Sequence, residues 1–112
     1  MKSRKSLLFL GSSLEDLRRF PPAARSDAGY QLDQVEQGSD PDDWKPMPDI
    51  GAGVREIKVS EDNGAFRVIY VAKFSDAVFV LHCFQKKTQR TSQRDLALAT
   101  ARYKALLKDL KR

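Results

Sequence analysis

Seven consecutive residues, Val78-Phe79-Val80-Leu81-His82-Cys83-Phe84, are hydrophobic on both parities apart from His82. Neighbouring side chains on a strand point to opposite faces, so a strand of this kind has no side to give to water and must be covered on each. The remainder of the chain therefore has to supply flanking strands and a packing layer above and below. With 112 residues to do so, less than the roughly 150 typical of a domain, one compact unit over 1–112 is the expectation.

Those parts are present in order. Lys5 to Leu10 is a short apolar run closed by Gly11 and reads as a buried strand inside a sheet. Ser12 and Glu15 have the spacing of a capping box for a short helix that ends before Pro21-Pro22. Pro22 can open a second helix without losing a hydrogen bond, with Ala24, Ala28, Leu32 and Val35 at helical spacing and Gly38 as its cap. From Gly38 to Gly53 aspartates, prolines and glycines indicate a loop, anchored by Trp44, Met47 and Ile50. Val54 to Ser60, Phe66 to Lys73 and Val78 to Phe84 read as strands joined by Asp62-Asn63-Gly64 and Ser75-Asp76, which makes two successive hairpins. Ser92 then caps a last helix whose apolar stripe is Leu96, Ala99, Tyr103, Leu106, Leu107 and Leu110.

Charge is unevenly placed. The chain carries a formal +5, yet from Lys86 to Arg112 there are nine basic residues against two acidic ones. A basic end on a near-neutral body suits contact with a phosphate backbone or an acidic partner; the plainer explanation is a helix with a solvated basic face. Arg55, Ile57 and Val59 share one strand face, and Arg67, Ile69 and Val71 repeat that pattern, so both arginines are expected on the same side of the sheet. With Lys58 and the Gln85-to-Arg90 turn they form a set of cations suited to phosphates. Their alternative role is ion pairing with Glu56, Glu61 or Asp76.

Most other chemistry is excluded. One His and one Cys give no zinc-site spacing, and adjacent strand residues such as His82 and Cys83 cannot form a dyad. Gly51-Ala52-Gly53 lacks the remainder of a phosphate loop. The Asp40-to-Asp43 carboxylates read as solvated turn residues, and neither metal nor cofactor is expected. Leu7 to Leu10 is too short for a bilayer span or a secretion signal. The single cysteine fits a reducing compartment, so a cytoplasmic location is expected.

Taken in order, Gly53-Val54-Arg55-Glu56-Ile57, Phe66-Arg67-Val68-Ile69-Tyr70 and His82-Cys83-Phe84-Gln85-Lys86-Lys87-Thr88-Gln89, closing on a Leu/Ala/Arg-rich helix, resemble the RelE/HigB superfamily of toxin–antitoxin toxins. The phage-derived HigB-like branch is the nearest in pattern. The resemblance implies a small α+β domain, a mainly antiparallel sheet with two N-terminal helices and a C-terminal helix in the order β-α-α-β-β-β-α. It further implies an endoribonuclease that cuts mRNA in the ribosome by attack of a ribose 2′-OH on the adjacent phosphate. By position it assigns Arg67, Lys86 and Lys87 to catalysis, and Arg55, Lys58, Arg90 and Arg94 to RNA binding. Many relatives carry a tyrosine or histidine near the start of the last helix; here Gln89, Arg90, Thr91, Ser92 and Gln93 stand there, leaving Tyr70, Tyr103 and His82 as low-ranked substitutes for a general base.

The implied partners are mRNA, the ribosome and a cognate antitoxin of helix-turn-helix type, which would carry the pair to operator DNA; no membrane partner is implied. Two alternatives share the fold: a ParE-like toxin that blocks DNA gyrase without catalysis, and an inactive module that binds RNA or antitoxin.

Overall fold

A computed structural model describes residues 4–62 and 64–111. Asn63 of the expected turn and Arg112 of the basic end lie outside the described residues. The elements are β1 (Ser6–Phe9), α1 (Ser13–Arg18), α2 (Pro22–Glu36), β2 (Trp44–Pro46), β3 (Val54–Glu61), β4 (Gly64–Val71), β5 (Ala77–Lys86) and α3 (Gln93–Leu110). The expected α+β order holds, with β2 added. Five strands form one sheet in the order β1-β5-β4-β3-β2, with β1 parallel to β5 and every other pairing antiparallel.

β5 is the covered inner strand that its sequence demands, with Ala77 to Cys83 all buried. On one side α1, α2 and the turn between them bring Leu17, Phe20, Ala24, Ala28, Leu32 and Val35 against Ile57, Val59, Phe66, Val68, Val78 and Val80. On the other, Ala99, Tyr103 and Leu106 of α3, with Met47 and Ile50, cover Val54, Ile69, Val71, Phe79 and Leu81. Burying each of the large side chains stabilises the fold by roughly 1.5–3 kcal/mol, so both layers are needed to offset the entropy of ordering so short a chain.

β5 carries an irregularity that governs where its side chains go. Tyr70 pairs with Val80, but Ile69 pairs with His82, so β5 contributes one more residue than β4 at this point. A bulge of this kind switches the facing parity of the bulged strand. Val78, Val80 and Cys83 consequently face α1 and α2, whereas Phe79 and Leu81 belong to the α3 side. Past the bulge, His82 is paired with Ile69 of that same side.

Four local expectations are corrected. β1 is an edge strand rather than an inner one, and Leu8 is 46% exposed on it; four residues with only one neighbour cannot be closed in on both faces. The capping box does not form, because Ser12 Oγ donates to Asp16 and accepts from Arg102 Nη2 instead of closing on a backbone amide. The Gly38-to-Gly53 loop contains β2, which joins the sheet through Trp44, Lys45 and Pro46 opposite Ile57, Glu56 and Arg55. Nor is that loop's acidic run simply solvated: Asp42 is held by both ends of the Gln31 amide, and Asp40 meets Arg55.

The two other helix signals act as read. Gly38 follows α2 at φ 89°, a left-handed conformation that favours glycine. Ser92 Oγ accepts from the Asp95 amide at 3.1 Å and caps α3. Among the described residues no helix is long and apolar enough to cross a membrane.

Candidate nucleic-acid interface

α3 covers the apolar part of its sheet face. Beyond Ile69, Val71 and Leu81 the residues of that face become charged, and the ladder shows which of them meet. Lys58 stands opposite Arg67, Arg67 opposite Phe84, and Lys86 opposite Ala65. Glu56, two residues from Lys58, stands opposite Lys45 of β2. Lys45, Lys58, Arg67 and Lys86 thus come from four adjacent strands onto one face, around a single carboxylate.

Glu56 is fully buried. Its Oε1 lies 3.5 Å from Arg67 Nε and 3.9 Å from Lys45 Nζ, and its Oε2 accepts from Thr91 Oγ1 at 2.9 Å. A buried carboxylate without such partners is expensive to keep, and here cations and a hydroxyl share the task. Arg67 is itself held: its side chain is 10% exposed and Nη1 donates to the Phe66 carbonyl at 2.9 Å. Its guanidinium is therefore fixed in direction before anything binds. Lys86 at the strand end has its pKa lowered, by partial burial first and then by the nearby charge of Arg67, with Lys45 and Lys58 adding to it and Glu56 opposing. That opposition of causes is the electrostatic signature of a site with more positive than negative charge.

The remaining cations are sorted by the same geometry. Lys87 follows β5 on the exposed turn, and with Lys86 and Arg94 it lines a cleft of about 300 Å³ against the start of α3. Arg90 lines a separate cleft with Lys45 and Thr91. Arg55 departs from the expected set. In the β3–β4 register Arg55 opposes Tyr70 while Arg67 opposes Lys58, so odd residues of β3 share a face with even residues of β4. The two arginines consequently project from opposite sides of the sheet. Arg55 pairs with Asp40 at 2.9 Å and lies 3.9 Å over the Trp44 ring, away from Arg67.

Glu56 is the ion-pair partner that the sequence offered for Arg67, and the pair forms. Lys45 and Thr91 are the members that the sequence did not bring together with Arg67; Lys45 lay in a stretch read as loop. The substitutes for a general base are engaged elsewhere. Tyr103 Oη donates to Ala52 and accepts from Lys73, and Tyr70 is buried on the Arg55 side. His82 shares the face of Arg67, but its Nε2 lies 2.7 Å from Asp95 and its Nδ1 is buried without a partner among the described residues. Cys83 points into the other layer, where burial pushes its thiol pKa up and so removes it as a nucleophile.

Comparison with known proteins gives this arrangement a context. The model of the family described as "Phage derived protein Gp49-like" matches residues 15–104. A solved structure of the E. coli toxin RelE in the free state, a mutant with two arginines replaced by alanine, is similar with a TM-score of 0.56 at 16% sequence identity, covering 92% of this chain and 98% of that chain. No curated protein matches the chain. The family match spans α1 to the middle of α3 and so includes every strand of the charged face except β1, which carries none of it. The chain belongs to the phage-derived Gp49-like family, and its fold is similar to that of RelE.

Proposed function

We propose that the protein is a ribosome-dependent endoribonuclease, the toxin of a toxin–antitoxin pair, acting in the cytoplasm as one domain over 1–112. The observation that carries the reading is the gathering of Lys45, Lys58, Arg67 and Lys86 from four strands onto one face around Glu56. A scissile phosphate has its charge spread over non-bridging oxygens that gain charge as the 2′-OH attacks. Cations already aimed at that charge stabilise the transition state without reorganising.

Arg67, held by Phe66 and Glu56, is the group for the phosphorane. Lys86, whose lowered pKa makes it a better proton donor than an ordinary lysine, serves the departing 5′-oxygen. The bond formed is 2′-O to P and the bond broken is P to 5′-O; the 2′-OH proton passes to solvent water, and Lys86 regains from solvent the proton it gives to the 5′-oxygen, so the products are a 2′,3′-cyclic phosphate and a 5′-hydroxyl. Lys58, Lys87, Arg90 and Arg94 contact flanking phosphates; Arg55 faces elsewhere and is not part of this surface. The partners are mRNA on the ribosome and a cognate antitoxin of helix-turn-helix type.

The test is primer extension on an mRNA in a reconstituted translating system. Wild-type protein is expected to give discrete cuts, and the folded Arg67→Ala, Glu56→Gln double variant none. Growth arrest by wild-type protein without any cut, accompanied by gyrase inhibition, overturns the nuclease reading in favour of the gyrase-directed one.

A further inference from the structure

The face away from Arg67 holds a second collection of cations. A cleft of about 250 Å³ lies between the end of α2, the chain before β1 and the strands β3 and β4, and Lys5, Arg55 and Lys73 line it. Each cation is steered by a protein acceptor. Lys5 Nζ donates to the Ala72 carbonyl at 2.6 Å, Lys73 Nζ to Tyr103 Oη at 2.9 Å, and Arg55 Nη1 to Asp40 at 2.9 Å. The stacking of Arg55 on Trp44 adds a second restraint on the guanidinium plane.

Tyr70 forms part of the same lining. It is 1% exposed, and its hydroxyl is buried with no hydrogen-bond partner among the described residues although the Arg55 guanidinium is its neighbour. A phenol in that state is costly to the fold unless something else takes its proton in a hydrogen bond. Among the described residues the only carboxylate in the lining is Asp40, whose side chain is 67% exposed on the loop after α2. The Lys73 ammonium is turned to Tyr103 of the α3 layer, so Lys5 and Arg55 are the cations offered here, and with Asp40 displaced they leave about +2, the complement of a phosphate dianion with its three acceptor oxygens.

We propose that this cleft is a phosphate-binding site, in which a phosphate group displaces Asp40 from Arg55, accepts from the Tyr70 hydroxyl and is flanked by Lys5. Asp40 is then the resident stand-in for the ligand, and its release couples occupancy to the loop that carries β2. The site lies across the sheet from Arg67 and stands independently of the nuclease reading. A free phosphate compound and the phosphorylated end of an RNA present the same chemistry.

Amide-resolved NMR titration of the full chain tests it, first with inorganic phosphate. Two 2′-O-methyl oligoribonucleotides, which cannot be cut and differ only in a 5′-phosphate or 5′-hydroxyl, follow. Inorganic phosphate is expected to shift the signals of Lys5, Arg55 and Tyr70. Asp40→Asn is expected to tighten binding several-fold. Tyr70→Phe should weaken it by about tenfold without lowering Tm, because the hydroxyl removed has no partner in the fold. A preference for the 5′-phosphorylated strand identifies an RNA end as the source, and phosphate binding with equal affinity for the two strands identifies a free phosphate compound. Shifts confined to Lys86–Arg94, or phosphate affinity unchanged in folded Tyr70→Phe and Asp40→Asn, overturn the proposal.

Discussion

Glu56 and Arg67 are paired inside the protein rather than on its surface: Glu56 is fully buried and the Arg67 side chain is only one-tenth exposed, with 3.5 Å between Oε1 and Nε. Removing one member of such a pair strands the other. Arg67→Ala is therefore expected to lower stability by about 3 kcal/mol in urea unfolding, the lower end of that class because Lys45 and Thr91 still serve Glu56. Adding Glu56→Gln should recover most of the loss and none of the RNA cleavage. A double variant no more stable than the single one refutes this account of Glu56.

The lowered pKa of Lys86 gives a pH dependence with a definite sign. Burial and the charge of Arg67 disfavour its protonated form, so it loses its charge below the ordinary lysine range. Cleavage that relies on protonated Lys86 should decline on the alkaline side before free lysine titrates, and Lys86→Arg should extend the plateau upward. For stability the sign is opposite. The folded pKa lies below the unfolded value, so the strain of holding this charge is present below the folded pKa and is relieved as pH rises through it. Alkaline limbs that superimpose for wild type and Lys86→Arg remove Lys86 from the reaction.

Salt separates phosphate binding from a merely solvated basic face. Every phosphate that the protein ceases to neutralise lowers the slope of log affinity against log salt by roughly one. Lys86→Ala with Lys87→Ala should accordingly flatten the slope for RNA by about two, whereas Lys108→Ala, on the exposed last turn of α3, should leave it unchanged. Equal slopes for all three proteins return the C-terminal charge to solvation alone.

Gly51 and Tyr103 make a packing prediction. A Cβ at residue 51 would lie 2.0 Å from Tyr103 Cε2, and that ring is buried beneath α3 while its hydroxyl donates to Ala52. Gly51→Ala must push α3 or the Met47-to-Gly53 segment outward, at about 1–3 kcal/mol for overpacking. Thermal unfolding of Gly51→Ala against Tyr103→Phe checks this, because Tyr103→Phe removes the hydroxyl without adding bulk and should cost less.

Element type was legible wherever a local rule acted alone. The hydrophobic run of β5, the proline opening of α2, Gly38 and the Ser92 cap each depend on residues close in sequence, and each is present. What depended on register was not legible. Arg55 and Arg67 begin similar strand patterns, yet their facing is set by which residue opposes which, and the hairpin pairs Arg55 with Tyr70. The same limit hid Lys45. Three residues among prolines and aspartates show no alternation, and β2 exists because β3 offers its edge to it. Ser12 had two competing acceptors and donors, Asp16 and Arg102, that no spacing rule weighs against a backbone amide.

The extra residue at the Leu81–His82 step of β5 acts as a phase shifter for the chain that follows it. If the register of Tyr70 with Val80 ran on uninterrupted, Arg67 would oppose Cys83, and Lys86 would leave the sheet on the α2 side. A thiol would then stand on the charged face in place of the phenyl ring of Phe84. A chain that slipped by one residue here would keep every cation and lose their arrangement. The chemistry of this face is thus written in the spacing of a hydrophobic strand as much as in the charges that the strand delivers.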